Sequence, residues 1–110
     1  MNIKFTARHF TPRAGLRQHA LEEVRKLAKF YDGIVSATVI LSYERATNSV
    51  KTAEINIIVY GKVLSATEKS DDYLKSIDAA AGKLAQRLRT YKSKLHSKNK
   101  TRVRKIQDKL

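Results

Sequence analysis

The polar and apolar positions of the chain alternate with two different periods, and the change between them marks the predicted elements. Residues 2–8 alternate with a period of two, which is typical of a half-buried strand. Residues 34–44 are rich in β-branched side chains and residues 50–60 alternate cleanly, so two further strands are predicted. After the polar loop 45–49 between these strands, a glycine turn at residue 61 leads into a short fourth strand over residues 63–67.

A first helix is predicted between the first two strands, because apolar residues recur there three and four positions apart. Thr11-Pro12 reads as its start, with threonine as the N-cap and proline at the first helical position. Asp32-Gly33 reads as its end, since glycine suits a left-handed C-terminal cap. The apolar stripe consists of Leu16, Ala20, Val24, Leu27 and Tyr31.

A second helix is predicted over residues 71–95, where the same spacing continues without a break. Ser70 is its expected N-cap, and Asp71 and Asp72 are expected in its first turn, where carboxylates favour the positive end of the helix dipole. The apolar stripe consists of Leu74, Ile77, Ala81, Leu84, Leu88, Tyr91 and Leu95.

The order βαβββα predicts an α+β fold similar to that of double-stranded-RNA-binding domains. A helix between the first two strands implies a right-handed crossover and parallel pairing, and the later short loops imply an antiparallel meander. Because each helix has one apolar stripe, both should pack on one face of a four-stranded mixed sheet and leave the other face to solvent. We expect this domain over residues 1–95, followed by a basic tail, 96–110, that is flexible because its three apolar residues cannot offset the ordering entropy.

The net charge of +13 changes the picture because it is concentrated in one part of the chain. Residues 1–82 hold 12 Lys and Arg against 9 Asp and Glu, a net +3, whereas residues 83–110 hold 11 against 1, a net +10. This asymmetry favours a polyanionic partner, nucleic acid first and an anionic membrane surface second. The chain has no cysteine, no apolar run of about 18 residues and no signal-like start, so we expect a cytoplasmic protein that does not span a membrane.

Basic side chains on the two helices are the candidate RNA-binding residues. On the second helix they are Lys75, Lys83, Arg87, Arg89, Lys92 and Lys94, and on the first helix they are Arg25, Lys26 and Lys29. With one acid among the last 28 residues, the five cations from Lys83 to Lys94 should lack local partners, whereas Glu22 can pair with Lys26. The alternative interpretation is a solvated helix end whose charges suit the dipole.

Other candidate chemistry finds little support in the sequence. The histidines are dispersed and lack nearby carboxylate pairs, so no metal site is predicted, and Asp71, Asp72 and Asp78 are explained by capping and surface pairing. No phosphate-binding glycine loop and no catalytic triad are visible, so we expect neither an enzyme nor a cofactor nor a small-molecule substrate. Among the aromatic residues, Phe5, Phe10 and Phe30 are assigned to the core, and Tyr31 and Tyr91 to its edge.

The second helix follows a recognisable sequence pattern, D-x-Y-x-A-I-D, then K-L, Q-L and K-Y-K. The positions that match it are Asp72, Ile77, Asp78, Lys83, Leu84, Leu88, Tyr91 and Lys92. This pattern resembles that of the ribosome hibernation-promoting factors, also called ribosome-associated inhibitor A or the sigma-54 modulation protein family. The K-L-x-K-F-Y segment is matched at Lys26–Tyr31 and the G-x-x-L-x-A turn at Gly61–Ala66. The family tyrosine falls at Leu74 and the family glutamine at Arg87. The resemblance covers about residues 1–95, and the length of 110 residues looks like a short form.

This resemblance implies a function that depends on binding and steric exclusion rather than on a catalysed reaction. Such proteins bind the small ribosomal subunit, with its 16S-type rRNA, over the decoding region and occupy the space of mRNA and tRNA, so that translation stops reversibly under stress or in stationary phase. We expect a monomer when the protein is free. The runner-up hypothesis is a general double-stranded-RNA-binding protein or a constitutive ribosomal protein, and a third is a membrane-surface protein that uses residues 83–110. The basic content of the tail is compatible with both dimeric and single inactive ribosomes.

Overall fold

The computed structural model describes the backbone of residues 2–44 and 50–109 and the side chains of residues 2–44 and 50–94. Its elements are β1 (Asn2–Ala7), α1 (Ala14–Phe30), β2 (Ile34–Tyr43), β3 (Lys51–Val59), β4 (Lys62–Ser70) and α2 (Tyr73–Lys109). The predicted βαβββα order is confirmed. The polar loop that was predicted at residues 45–49 lies outside the described residues.

The four strands form one mixed sheet in the order β1-β2-β3-β4. The predicted pairing is confirmed, because β1 runs parallel to β2 while β2, β3 and β4 are antiparallel. The strand β4 is longer than the alternation indicated, since it pairs with β3 from Lys62 opposite Val59 to Ser70 opposite Lys51. Its polar second half carries no apolar signal, and backbone pairing extends the strand beyond the part that sequence alone identifies.

The core lies between one face of the sheet and the two helices, as predicted. The central strands contribute alternate residues that are fully buried, such as Val39 and Ile55, and α1 contributes Ala20, Val24 and Leu27. The opposite face of the sheet is left to solvent, where even Ile58 and Val63 are exposed. The helix α2 packs against β3, β4 and α1, so its flanks border the edge strand β4 on one side and α1 on the other.

The first helix begins and ends differently from the prediction. It starts at Ala14 after an extended Arg13 that provides no side-chain cap, so Thr11 and Pro12 lie outside the helix. The ring of Phe10 stacks on that of Tyr73 with centroids 5.0 Å apart, a tertiary contact of the kind that overrides local capping preference.

At its other end, α1 stops at Phe30, followed by the extended C-cap Tyr31. Gly33 does not take the left-handed conformation expected for it. Among the described residues, the glycine with a positive φ is Gly61, at 76°. Glycine at position 33 is explained instead by close approach, since a Cβ there would lie 2.5 Å from the ring of Tyr31.

The start of α2 is capped by Asp72 rather than by Ser70. The backbone N–H of Leu74 donates to Asp72 Oδ1 at 3.0 Å, and Ser70 Oγ accepts the N–H of Asp72 itself. Asp71 and Asp72 therefore precede the first turn instead of lying in it. The capping role follows from the carboxylate reaching an N–H group that has no partner within the helix.

The apolar stripe of α2 is confirmed at Ile77, Ala81, Leu84 and Leu88, which are all buried, whereas Leu74 is 43% exposed. Ser76 takes the buried position instead, and its hydroxyl donates to the backbone carbonyl of Lys51 at 2.8 Å.

The side chain of Leu95 lies outside the described part of the chain. The backbone of α2 continues to Lys109, through the segment expected to be a flexible tail. The division of the chain at residue 95 stays a prediction.

Replacing Asp72 with alanine is expected to lower the free energy of unfolding by about 1 kcal/mol, because α2 loses its N-cap. Denaturant unfolding followed by circular dichroism measures this change. Asp71→Ala is the matched control, since among the described residues the Asp71 carboxylate pairs with the exposed Lys75 alone. An equal loss in both variants would contradict the capping role of Asp72.

Candidate nucleic-acid interface

The largest concentration of candidate residues lies along a cleft between the edge strand β4 and α2. This cleft, called the β4–α2 cleft below, has a volume of about 590 Å³ and is lined by Lys62, Val63, Leu64, Ser65, Lys83, Gln86, Arg87, Thr90, Tyr91 and Lys94. Positions 83, 87, 90 and 94 are three and four apart, so they lie along one flank of the helix. The buried residues of α2 face the sheet and thereby turn this flank towards β4.

The cations of the β4–α2 cleft differ in whether they have an acidic partner. Lys83 forms an ion pair with Glu68 of β4, so the expectation that the charges of α2 lack local partners is wrong for this residue. Among the described residues, no carboxylate pairs with Lys62, Arg87 or Lys94. Three unpaired cations along one cleft leave a positive surface that can accept phosphate groups.

The opposite flank of α2 carries a second group of cations, next to the end of α1. The guanidinium of Arg89 lies 5.5 Å and the ammonium of Lys92 5.8 Å from the centroid of the Phe30 ring. Phe30 is 37% exposed, so its assignment to the core was wrong. The ring supports two cations through cation–π attraction, because α2 passes the C-terminal end of α1 at this point.

The candidate residues of α1 do not form one patch. Lys26 pairs with Glu23 at 3.1 Å rather than with Glu22. Arg25 lines a separate groove of about 580 Å³ together with Arg17. Lys29 lies in the last turn of the helix and is exposed. The first helix therefore offers dispersed charges, in contrast to the row on α2.

Lys75 lies apart from the β4–α2 cleft, because it precedes Lys83 by two helical turns. Its ammonium lies 3.4 Å from Asp71 Oδ1, in a pair whose two side chains are both exposed. The structure thus brings together Lys83, Arg87 and Lys94 on one flank of α2 and Arg89 and Lys92 on the other. Contact of all nine basic residues with RNA stays a prediction.

Two tyrosines hold the C-terminal side of the cleft in place. The rings of Tyr31 and Tyr91 meet edge to face with centroids 5.8 Å apart, which places them at the core edge as predicted. The Tyr91 hydroxyl donates to the backbone carbonyl of Tyr60 at 3.1 Å and so ties α2 to the β3–β4 turn. Burial, and then the neighbouring Tyr91, raise the pKa of the Tyr31 hydroxyl above that of an ordinary phenol.

Sequence reasoning missed a group of ionisable side chains that joins the two helices. His19 Nε2 lies 2.6 Å from Asp78 Oδ1 and 3.9 Å from Glu23 Oε1. The statement that no carboxylate pair lies near a histidine was therefore wrong. The i,i+4 spacing of His19 and Glu23 is visible in the sequence, but Asp78 is 59 residues away and reaches them only through helix packing.

A family model described as sigma 54 modulation protein / S30EA ribosomal protein matches residues 3–96. The chain belongs to this family. The matched residues run from β1 into α2 and contain the basic flanks of that helix up to Lys94.

A curated relative is the ribosome hibernation promotion factor of Staphylococcus aureus (strain COL), which is 26% identical over 87 residues. That match covers 79% of this chain and 46% of the relative, so the chain spans about half the length of the curated relative. The relative carries the name of a ribosome factor and not that of an enzyme.

Two solved structures share the fold. A ribosomal subunit interface protein from Coxiella burnetii superposes with a TM-score of 0.76 at 24% identity, covering 84% of this chain and 99% of that one. The N-terminal domain of Thermus thermophilus Protein Y superposes with a TM-score of 0.72 at 25% identity, covering 83% of this chain and 99% of that one.

Among the described residues of this chain, no helix combines the length and the apolar character that spanning a membrane requires.

Proposed function

We propose that this chain is a ribosome hibernation factor. It binds the small ribosomal subunit in the groove over the decoding region, where it occupies the space of mRNA and tRNA and stops translation under stress or in stationary phase. Membership of a family that includes a ribosome hibernation promotion factor supports this proposal. The free protein is a monomer in the cytoplasm, where its target is found.

The observation that carries the proposal is the row of cations on α2. Lys83, Arg87 and Lys94 face the β4–α2 cleft, while Arg89 and Lys92 flank the other side of the same helix. An element with charge on both flanks can contact the phosphates of two rRNA segments at once. Structured RNA suits this mode of binding, because its deep major groove resists readout by side chains and leaves shape and phosphates to be recognised.

The ion pair between Lys83 and Glu68 fits the same mechanism. In the free protein the Glu68 carboxylate is the partner of Lys83, and an rRNA phosphate takes that place when the protein binds. The function requires neither bond making nor a cofactor, since inhibition follows from occupying the space of the translation substrates. The protein acts by exclusion, and the helix α2 is its main contact.

Cosedimentation with purified small subunits over a series of salt concentrations tests the proposal. If the five clustered cations of α2 each contact one phosphate, log K falls with log salt at a slope of about −3.5 to −4.5. The affinity then decreases about 100- to 500-fold between 50 and 200 mM salt. A protein that fails to bind the small subunit even at low salt is not a hibernation factor.

Two further arms of the same experiment separate the alternatives. Competition with generic RNA duplex removes a general double-stranded-RNA-binding protein from the ribosome but leaves a site-specific factor bound. Ribosomes from growing and from stationary cells distinguish a constitutive ribosomal protein, which stays on translating ribosomes, from a hibernation factor, which is found on idle ones. Flotation with anionic vesicles detects a protein that binds membrane surfaces instead.

A further inference from the structure

A cluster of three ligand-bearing side chains joins α1 to α2 on the side away from the β4–α2 cleft. His19 and Glu23 come from successive turns of α1 and Asp78 comes from α2. One ligand atom of each residue lies within 4.8 Å of the others. The side chains are 30%, 18% and 57% exposed, so solutes can reach the cluster from solvent.

We propose that His19, Glu23 and Asp78 bind a divalent transition-metal ion of the zinc class. The imidazole decides the class, because nitrogen ligands favour zinc, copper and nickel, whereas calcium and magnesium require six or more oxygen ligands. Three protein ligands leave one position of a tetrahedral zinc ion to water. The site belongs to α1 and α2 alone and does not depend on binding to the ribosome.

The distances fit such an ion after small movements. Metal–ligand bonds of about 2.0–2.2 Å in a tetrahedron place ligand atoms roughly 3.3 Å apart. The observed separations from His19 Nε2, 2.6 Å to Asp78 Oδ1 and 3.9 Å to Glu23 Oε1, lie on either side of this value. Rotations of these side chains between neighbouring rotamers supply the difference, with most freedom at Asp78, which is 57% exposed.

One neighbouring cation competes with the metal. Lys26 Nζ lies 3.1 Å from the same Glu23 oxygen that faces His19. Metal binding at this oxygen displaces the ammonium and costs that surface pair. Removing Lys26 is therefore expected to tighten metal binding, a result that a chance surface histidine would not give.

The bound ion has a structural consequence. It adds a link between two helices that already meet through apolar contacts, the pair between His19 and Asp78, and the cation–π contacts of the Phe30 ring. A ligand that binds only the folded chain raises the midpoint of thermal unfolding as its concentration increases. Because both helices carry the proposed rRNA-binding cations, the ion also fixes their relative position.

Titration of the untagged full chain with ZnCl2 tests the site by calorimetry and by thermal unfolding. We expect one Zn²⁺ per chain and a rise in the unfolding midpoint. Asp78→Asn and Glu23→Gln each weaken binding at least about tenfold. Lys26→Met tightens it several-fold, while Glu22→Gln, which changes a neighbouring carboxylate on the same helix, leaves it unchanged.

Circular dichroism of each variant without zinc verifies that the fold is intact before binding is compared. Lys26→Met keeps the test informative if an acidic variant unfolds, since it retains all three ligands. The proposal is overturned if the parent chain binds no zinc. It is equally overturned if Asp78→Asn and Glu23→Gln bind as tightly as the parent, which would place the metal at other residues.

Discussion

Replacing Arg87 and Lys94 together with glutamate is expected to weaken binding to the small ribosomal subunit by on the order of 100-fold. Each residue lines the β4–α2 cleft without an acidic partner among the described residues, so each is available to a phosphate. Two charge-assisted contacts at about 1.5 kcal/mol each account for this loss. The slope of log K against log salt should become shallower by about two. Cosedimentation at several salt concentrations measures both quantities.

Lys94 is a better partner for this substitution than Lys83. A glutamate at position 83 would stand beside Glu68, and the repulsion between two carboxylates would disturb the packing of α2 on β4 as well as RNA binding. Lys94 has no such neighbour within the described residues and is exposed. A loss of affinity in the Arg87 and Lys94 variant therefore reports on the contact surface rather than on folding.

The matched control reverses Lys4 in β1 and Arg8 just after this strand, two exposed cations at the opposite edge of the sheet from β4. Neither forms an ion pair with a carboxylate among the described residues, so the control resembles Arg87 and Lys94 in this respect as well. This variant has the same net charge as the first, so any general effect of charge on attraction to the ribosome is equal in the two. We expect it to retain most of the affinity. If the two variants lose affinity equally, binding depends on overall charge and not on the β4–α2 cleft.

The order and type of the elements could be predicted because hydrophobic period reports directly on burial. Residues such as Ile55 on β3 and Leu84 on α2 are apolar where one face meets the core, and both are fully buried. The ends of the helices were predicted less accurately than their order and type. Whether Ser70 or Asp72 caps α2 depends on which side chain reaches the first N–H groups, and this depends on how the preceding strand enters the helix.

The candidate site was predictable along each helix but not between elements. Spacing alone places Arg87 and Lys94 on one flank of α2, because they lie seven residues apart, about two turns. The pairing of Lys83 with Glu68 and the exposure of Phe30 under two cations required knowledge of which elements are neighbours. Sequence distance hides such contacts, and only packing creates them.

Replacing Leu84 with alanine is expected to lower the free energy of unfolding by about 2–5 kcal/mol. The side chain is fully buried in the core between α2 and the sheet, so its removal forfeits apolar burial and leaves a cavity. A loss of this size is a large part of the total stability of about 5–15 kcal/mol that domains possess. Urea unfolding followed by circular dichroism measures the change.

Leu74→Ala is the matched control, because it makes the same substitution on the same helix at a position that is 43% exposed. We expect it to cost less than about 1 kcal/mol. Both variants keep every cation of α2, so below its unfolding midpoint the Leu84 variant should still bind small subunits with nearly unchanged affinity. Since the Arg87 and Lys94 variant should show the opposite result, with stability kept and affinity lost, the pair separates the packing role of α2 from its role in binding RNA. If Leu84→Ala abolished binding while the protein remained folded, these two roles would not reside on different faces of the helix.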